Sequence, residues 1–446
     1  MITFRYISMS REKNNHPFRS GPMVLDRDFK YALEQMEHTS RHFFVTGRAG
    51  TGKSTLLKLF RRTTKKRVVV LAPTGIAAVN VKGQTIHSFF GFPAHLHINK
   101  HIKKRRNRKL FTSLDAIIID EVSMVRADLL DAIDLFLRVN RGNGMPFGGV
   151  QMIFFGDLFQ LPPVVSSPEE RQFLAMHYTS PWFFSAQVFD ALGAGFEMIE
   201  LNTVYRQRDR HFIRILDAVR TGEVDWDILE VLNERAGRVP PPEIPFIYLC
   251  TTNRIADSIN QKKLDTLEGP LRQYEAKIKG DFPERRTPTE VFLRLKLGAQ
   301  VMFIRNDSEG NYVNGTIGKI SELKENSVVV TIHEGAGEKQ IKVIGEEWEL
   351  IKYVLSEDGT KIDMKTIGVF TQLPLKLAWA LTIHKSQGKT FESVFIDLGK
   401  GAFESGQTYV ALSRCTTLQG VFLKHKMQPR DIITDPGIVD FYYNHR

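Results

Sequence analysis

The stretch with the densest chemistry is Gly47–Thr55, GRAGTGKST, in which Gly47 is followed after four residues by Gly52, Lys53 and Ser54. Glycines so placed let backbone N–H groups close on phosphate oxygens at a helix start. A lysine at the next position reaches the β- and γ-phosphates, and the following hydroxyl takes a Mg²⁺ position. Gly47, Ala49, Gly50, Thr51, Gly52, Lys53, Ser54 and Thr55 are therefore read as an ATP-binding loop, with Lys53 also catalytic and Ser54 a metal ligand. The bland alternative is a glycine-rich turn without nucleotide. The flanks favour the loop, because His42–Thr46 reads as a buried strand and Thr55–Phe60 as a helix.

A second group of residues can complete a phosphoryl-transfer site. Ile117–Ile119 is apolar and runs into Asp120 and Glu121, a strand ending in two carboxylates. Asp120 is expected to hold Mg²⁺ through water, and Glu121 to orient and deprotonate the attacking water. Gln160, in FGDLFQLPP at 155–163, is placed to sense the γ-phosphate, or else is a turn residue before a Pro-Pro stop. Arg206 and Arg414 are candidates for the inserted cation that in such sites adds about 10³–10⁵ in rate, or are surface cations. Both are assigned to the second α/β block, which opens at Asn202, so that hydrolysis would depend on closure of one block against the other.

The elements that must position these groups read as a doubly wound α/β chain. Strands are expected at Phe43–Val45, Val68–Leu71, Ala116–Ile119, Met152–Phe155 and Met198–Ile199. Between the third and fourth, a helix carries Leu129, Leu130, Ile133, Phe136 and Leu137 on its core face, with Asp128, Asp131 and Asp134 on the other. A second α/β block opens at Asn202, with strands at Phe246–Cys250, Val301–Ile304, Leu377–Leu381 and Val394–Ile396. Short β pieces at Thr316–Ile320, Ser327–Ile332, Gln340–Ile344 and Glu349–Val354 interrupt it, and an inserted small β-barrel over 305–362 is the simplest reading. The chain of 446 residues has a formal charge of +11, which suits a polyanionic partner or simply a basic solvated surface. No apolar run is long enough to cross a bilayer. Cys250 and Cys415 are the only cysteines, without partners at metal-ligand spacing, so a reducing compartment is expected. Residues 1–24 are expected to form a disordered leader. The basic run KHIKKRRNRK at 100–109 suits a solvated loop, a localisation signal or a nucleic-acid contact.

In this order the segments resemble superfamily 1B DNA helicases, most closely the PIF (petite integration frequency) family. The resemblance is carried by GRAGTGKST at 47–55, APTGIAA at 72–78, GQTIHSFF at 83–90, IIDEVSM at 118–124 and FGDLFQLPP at 155–163. It continues through YRQ at 205–207, LTIHKSQGKT at 381–390 and YVALSR at 409–414, and its most specific part is Asp131–Val164 with MPFGGVQ. It implies two RecA-like P-loop domains with parallel sheets, over 25–201 and over 202–304 with 363–446. Between them lies ATP, touched also by Gly388. A wedge at about 90–109 and a barrel over the DNA are implied as well. It implies a monomer translocating 5′ to 3′ on single-stranded DNA, acting at junctions, forks or G-quadruplexes in genome maintenance. The compartment would be the cytoplasm in a bacterium, or the nucleus or mitochondrion in a eukaryote. Thr74, His87 and Phe89, with Asn253, Thr382, His384 and Lys385, fall where the family touches the strand, the alternative for each being a place in the core. One departure is Phe29, which stands where the family usually has an adenine-reading glutamine, with Gln35 a poor substitute. Rival readings are a helicase acting on RNA or RNA–DNA hybrids, and a nucleotide-switched remodeller that does not unwind.

Overall fold

A computed structural model describes residues 25–93, 102–165, 167–207, 209–241, 245–307, 309–334 and 337–446. The expected leader, and 94–101 of the expected wedge, lie outside the described residues.

Six parallel strands form the first sheet: β1 (His42–Gly47), β2 (Val68–Ala72), β3 (Gln84–Thr85), β4 (Ala116–Ile119), β5 (Gln151–Phe155) and β6 (Phe196–Leu201). Their order is β3-β2-β4-β5-β1-β6. Helices cover both faces, which is why β4 and β5 are buried along their whole length and, Gln151 aside, read as unbroken apolar runs. The second parallel sheet is smaller. It comprises β7 (Ile247–Cys250) and, after a long insertion, β18 (Ala380–Thr382), β19 (Val394–Asp397) and β20 (Val421–Leu423), in the order β18-β7-β19-β20.

Strands β8 (Arg272–Glu275), β9 (Lys277–Gly280), β10 (Phe292–Leu295), β11 (Gln300–Phe303), β12 (Ile317–Leu323), β13 (Ser327–Glu334), β14 (Gly337–Ile344), β15 (Glu346–Leu355), β16 (Ile362–Gln372) and β17 (Leu375–Leu377) make up the insertion. They pair antiparallel in sheets of two, five and three strands. This region therefore runs from 272 to 377, wider than the expected 305–362. Of Val301–Ile304, expected in the second parallel sheet, Val301–Phe303 belongs instead to β11, bonded antiparallel to β12 and β17. A four-residue apolar run does not say which kind of sheet it joins. The insertion docks on the first sheet through Tyr353, whose buried hydroxyl bonds the N–H (3.1 Å) and C=O (3.4 Å) of Val70.

Two further expectations are corrected. The chain does not finish in the second unit. Its last helix, Pro436–His445, returns to the first, where Phe441 stacks on Phe184 at 4.3 Å and Tyr442 donates to Glu200 of β6 at 2.6 Å. The acids of helix Ala127–Arg141 are not a solvated face. Asp128 is fully buried against Arg126, Asp131 accepts from the N–H groups of Gln187 and Val188, and Asp134 accepts from that of Phe147. Each carboxylate satisfies a charge or a loop donor that burial would otherwise leave unpaired. The PFGG stretch of the MPFGGVQ signature is thus a fitted backbone support: a Cβ on Gly148 would come within 2.8 Å of the Leu137 carbonyl oxygen.

Candidate nucleotide cleft and strand face

The loop after β1 has the conformation its glycines allow, with Gly47, Gly50 and Gly52 all at positive φ and Gly52 capping helix Lys53–Thr63. Lys53 Nζ donates to the carbonyls of Gly47 (2.5 Å) and Arg48 (3.0 Å). Burial lowers its pKa, with Asp157 opposing. Ser54 and Thr55 are exposed at the helix start.

Asp120 and Glu121 follow β4 as expected. Glu121 occupies the left-handed region at φ 52°, a conformation rare for a residue with a side chain and costing of order 1–3 kcal/mol. Burial raises both carboxyls, and the Asp120 charge raises Glu121 further. A carboxylate held above its ordinary pKa is a better proton acceptor. Among the described residues no three His, Cys, Asp or Glu side chains gather as a metal site. The oxygen donors present, Ser54 and Asp120, suit a Mg²⁺ that takes its remaining ligands from phosphates and water.

Gln160 is buried beside Glu121 and joined to it by a residue from the other unit. Gln387 Nε2 donates to Gln160 Oε1 (3.0 Å) and Glu121 Oε2 (3.3 Å). Close backbone approach permits this, since a Cβ on Gly406 would fall 2.3 Å from the carbonyl oxygens of both Phe159 and Gln160. Arg206 belongs to the first-unit wall, which corrects its expected place. It follows β6 closely and packs on the loop, where a Cβ on Gly50 would sit 2.5 Å from Arg206 Cβ. Its guanidinium reaches across to the Ser413 carbonyl at 3.1 Å. Arg414 is the second-unit arginine, 1% exposed, bonded to the carbonyls of Val410, Ser386 and Lys389 and to the Ser413 hydroxyl. Burial and Arg206 lower its pKa, with Tyr409, Glu121 and Asp157 opposing. Gly388, at φ 76°, lies exposed next to Gln387.

Other residues of the cleft emerge with the fold. Gln207 donates to the carbonyls of Ser413 (3.2 Å) and Cys415 (3.0 Å). Asp157 is fully buried with Arg220 (3.2 Å), and Tyr409 bonds both Asp157 and the loop. Asp157, Gln207, Gln387 and Tyr409 all lie inside quoted motifs, so the signal was available. Arg220 sits in no motif, on the amphipathic helix Arg210–Thr221. Tyr205 is 55% exposed, its hydroxyl bonded to Asp26 at 2.9 Å and its ring beside Gly52. Phe29 is buried against the same glycine, whereas Gln35 lies about 9 Å further along the helix.

The residues expected to touch a strand lie at carboxyl edges of both sheets. Thr74 follows β2 and caps helix Gly75–Asn80 by accepting from Ala77 N–H. Half-buried His87 and buried Phe89 follow β3. Exposed Asn253 opens the helix after β7, and buried Thr382 ends β18 and accepts from Lys385 N–H at 3.2 Å. His384 Nε2 lies 3.1 Å from Glu404, and Lys385 is exposed. Of the two roles open to Phe89, stacking on a base or serving the core, the packing fits the second. Phe89 is 8% exposed and packed edge-on against Phe90, Phe111 and Tyr353.

Residues 25–227 match the model of the PIF1-like helicase family. The chain is 31% identical to the ATP-dependent DNA helicase Pif1 of Bdellovibrio bacteriovorus, over 91% of this chain and 88% of that one. It belongs to the PIF1-like helicase family. Against the ATP-dependent DNA helicase PIF1 of Emericella nidulans the identity is 32% over 95% of this chain. The chain spans only 63% of that protein's length and 60% of the human one's. Among solved structures, Bacteroides sp Pif1 in complex with ADP-AlF4 superposes with a TM-score of 0.86 at 38% identity, covering 95% of this chain and 97% of that one. The Bacteroides Pif1 structure bound to single-stranded DNA gives 0.68 at the same identity. The two P-loop-type sheets are thus RecA-like domains of this family. No described helix is long and apolar enough to cross a membrane.

Proposed function

We propose that this chain is an ATP-dependent DNA helicase that translocates 5′ to 3′ on single-stranded DNA as a monomer, opening duplex, forks or G-quadruplexes. The observation that carries the reading is the contact of Gln387 with both Gln160 and Glu121. A side chain of the second RecA-like unit there touches the proposed base of the first. In this reading Gly47–Thr55 binds the phosphates, Ser54 and Asp120 hold Mg²⁺, and Glu121 takes the proton of the attacking water. When bound, Mg²⁺ would offset phosphate charge as the leaving group departs. Arg206 and Arg414 face developing negative charge from opposite walls, and Gln160 relays the state of the cleft through Gln387. Gly388 adjoins that relay.

The exposed Tyr205 ring offers the base a stacking surface where the family usually has a glutamine. Asn253, His384 and Lys385 supply polar and cationic contacts to phosphates at one sheet edge, with Thr74 and His87 at the other. Thr382 orients that edge by holding Lys385 N–H. Phe89 is left out of this set.

The test is strand displacement with matched 5′-tailed, 3′-tailed and quadruplex substrates, with RNA tails as a further arm. The expected result is ATP-dependent displacement from 5′-tailed DNA. ATP hydrolysis without displacement would point to a remodeller, and stronger stimulation by RNA to the RNA reading.

A further inference from the structure

We propose that Tyr409 is a positioning residue that sets the phosphate loop from the second RecA-like unit, and that the buried Asp157–Arg220 pair fixes the direction in which its hydroxyl points. The inference rests on the cleft binding ATP.

The loop is held from outside at several points. Tyr205 N–H donates to the Gly50 carbonyl at 2.9 Å, and Asp217 pairs with Arg48 at 2.6 Å. At the third point the Ala49 N–H donates to the Tyr409 hydroxyl oxygen at 2.9 Å, across 360 residues of chain. Tyr409 lies on helix Gln407–Leu412 and is 3% exposed. Of these anchors, only Tyr409 comes from beyond the insertion.

The hydroxyl can accept from Ala49 because its own proton is committed elsewhere. Tyr409 donates to Asp157 Oδ2 at 3.3 Å, and Gln160 Nε2 donates to the same oxygen at 3.2 Å. The other oxygen takes Arg220 Nε and Nη2, at 3.3 and 3.2 Å. Arg220 itself lies over the Phe159 ring, 4.2 Å from the centroid. Asp157 is thereby kept an acceptor, which leaves Tyr409 as the donor. One carboxylate thus organises two contacts between the units, Tyr409 to the phosphate loop and, through Gln160, Gln387 to Glu121. Closure of the second unit would set loop geometry and base orientation together.

The experiment is Tyr409→Phe in the full chain, which removes one oxygen and keeps the ring. Steady-state hydrolysis at saturating single-stranded DNA is measured together with the affinity for a fluorescent ADP and the thermal midpoint. Losing one hydrogen bond to the loop should raise KM and weaken ADP binding about tenfold, with kcat and the midpoint close to wild type. Unchanged KM and ADP affinity would overturn the proposal. So would a fall in kcat alone, which would put Tyr409 in the chemical step, or a lowered midpoint tracking the loss of affinity, which would make it structural. Wild-type protein that binds no ADP would instead remove the functional reading beneath it.

Discussion

The nucleotide cleft and the strand face use polar residues in opposite ways. In the cleft the side chains reach across the gap between units: Gln387 to Glu121, Arg206 to Ser413, Gln207 to Cys415 and Tyr409 to Ala49. On the strand face they mostly serve their own neighbourhood, with Thr74 and Thr382 holding N–H groups three residues on and Phe89 filling the core. The difference follows from what each must bind. Phosphoryl transfer needs charges converging on a few atoms, whereas a sliding strand is held by many weak contacts. Substitutions in the cleft should therefore act on nucleotide affinity or turnover, and those on the strand face on folding or on affinity for the strand.

The largest expected effect is at Arg414. Arg414→Lys should lower kcat by about 10³, the lower end for losing a transition-state arginine, while nucleotide affinity changes little. Its bonds to four second-unit groups argue for lysine over alanine, since alanine would leave carbonyls unpaired in a buried position. A kcat within tenfold of wild type would mean that Arg414 only braces the helix.

Next is Glu121→Gln, expected to retain ATP and DNA binding and to lose about 10² in turnover, the lower end for a general base. Because burial and Asp120 raise the Glu121 carboxyl, turnover should fall as pH drops at a higher pH than an ordinary carboxylate would give. The sign for stability is the reverse. A carboxyl raised on folding favours the native state while protonated, and that contribution is lost as pH rises through the folded value. An acid limb in the pH–kcat profile that survives in Glu121→Gln would reassign the base.

Much of this cleft was legible in the sequence because its parts are contiguous: a loop between strand and helix, and carboxylates at a strand end. Arg206 was found as a residue but assigned to the wrong wall. No local pattern tells whether a segment after the last strand of one sheet packs back on that sheet. The same limit hid the return of Pro436–His445 to the first unit, and it hid Arg220, whose function depends on a fold contact with Asp157. The insertion is wider than its sequence shows, since β8 (RQYE) and β9 (KIKG) carry no apolar run to mark them as strands and the apolar run of β11 fits either kind of sheet. Asp128, Asp131 and Asp134 looked solvated because helical spacing places them off the main apolar stripe. Only the packing of Pro181–Ala191 and Phe147 against that helix shows otherwise.

Phe89 separates the two regions by kind of effect. Phe89→Ala should destabilise the fold by about 3–5 kcal/mol, as for other buried aromatics, seen as a lowered denaturant midpoint. A stable variant with strand affinity weakened by about 1–3 kcal/mol would restore it as a stacking residue. For the face as a whole, strand affinity should fall steeply with salt as phosphate contacts release counterions. A flat titration would mean that the exposed cations, Lys385 among them, do not meet phosphates.

The smallest effect, and the sharpest for the comparison, is at Thr74. Its hydroxyl oxygen accepts from Ala77 N–H at 3.2 Å, which leaves its proton free to meet a phosphate. Thr74→Ala should cost about 1 kcal/mol of stability through loss of the cap, and Thr74→Ser should restore it. If the hydroxyl also donates to the strand, DNA affinity will fall in the alanine variant and recover in serine, with kcat at saturating DNA unchanged throughout. If stability alone recovers while affinity never moved, Thr74 is a cap and nothing more. The strand would then be held at this edge by backbone groups and His87, widening the contrast with a cleft in which side chains do the chemistry.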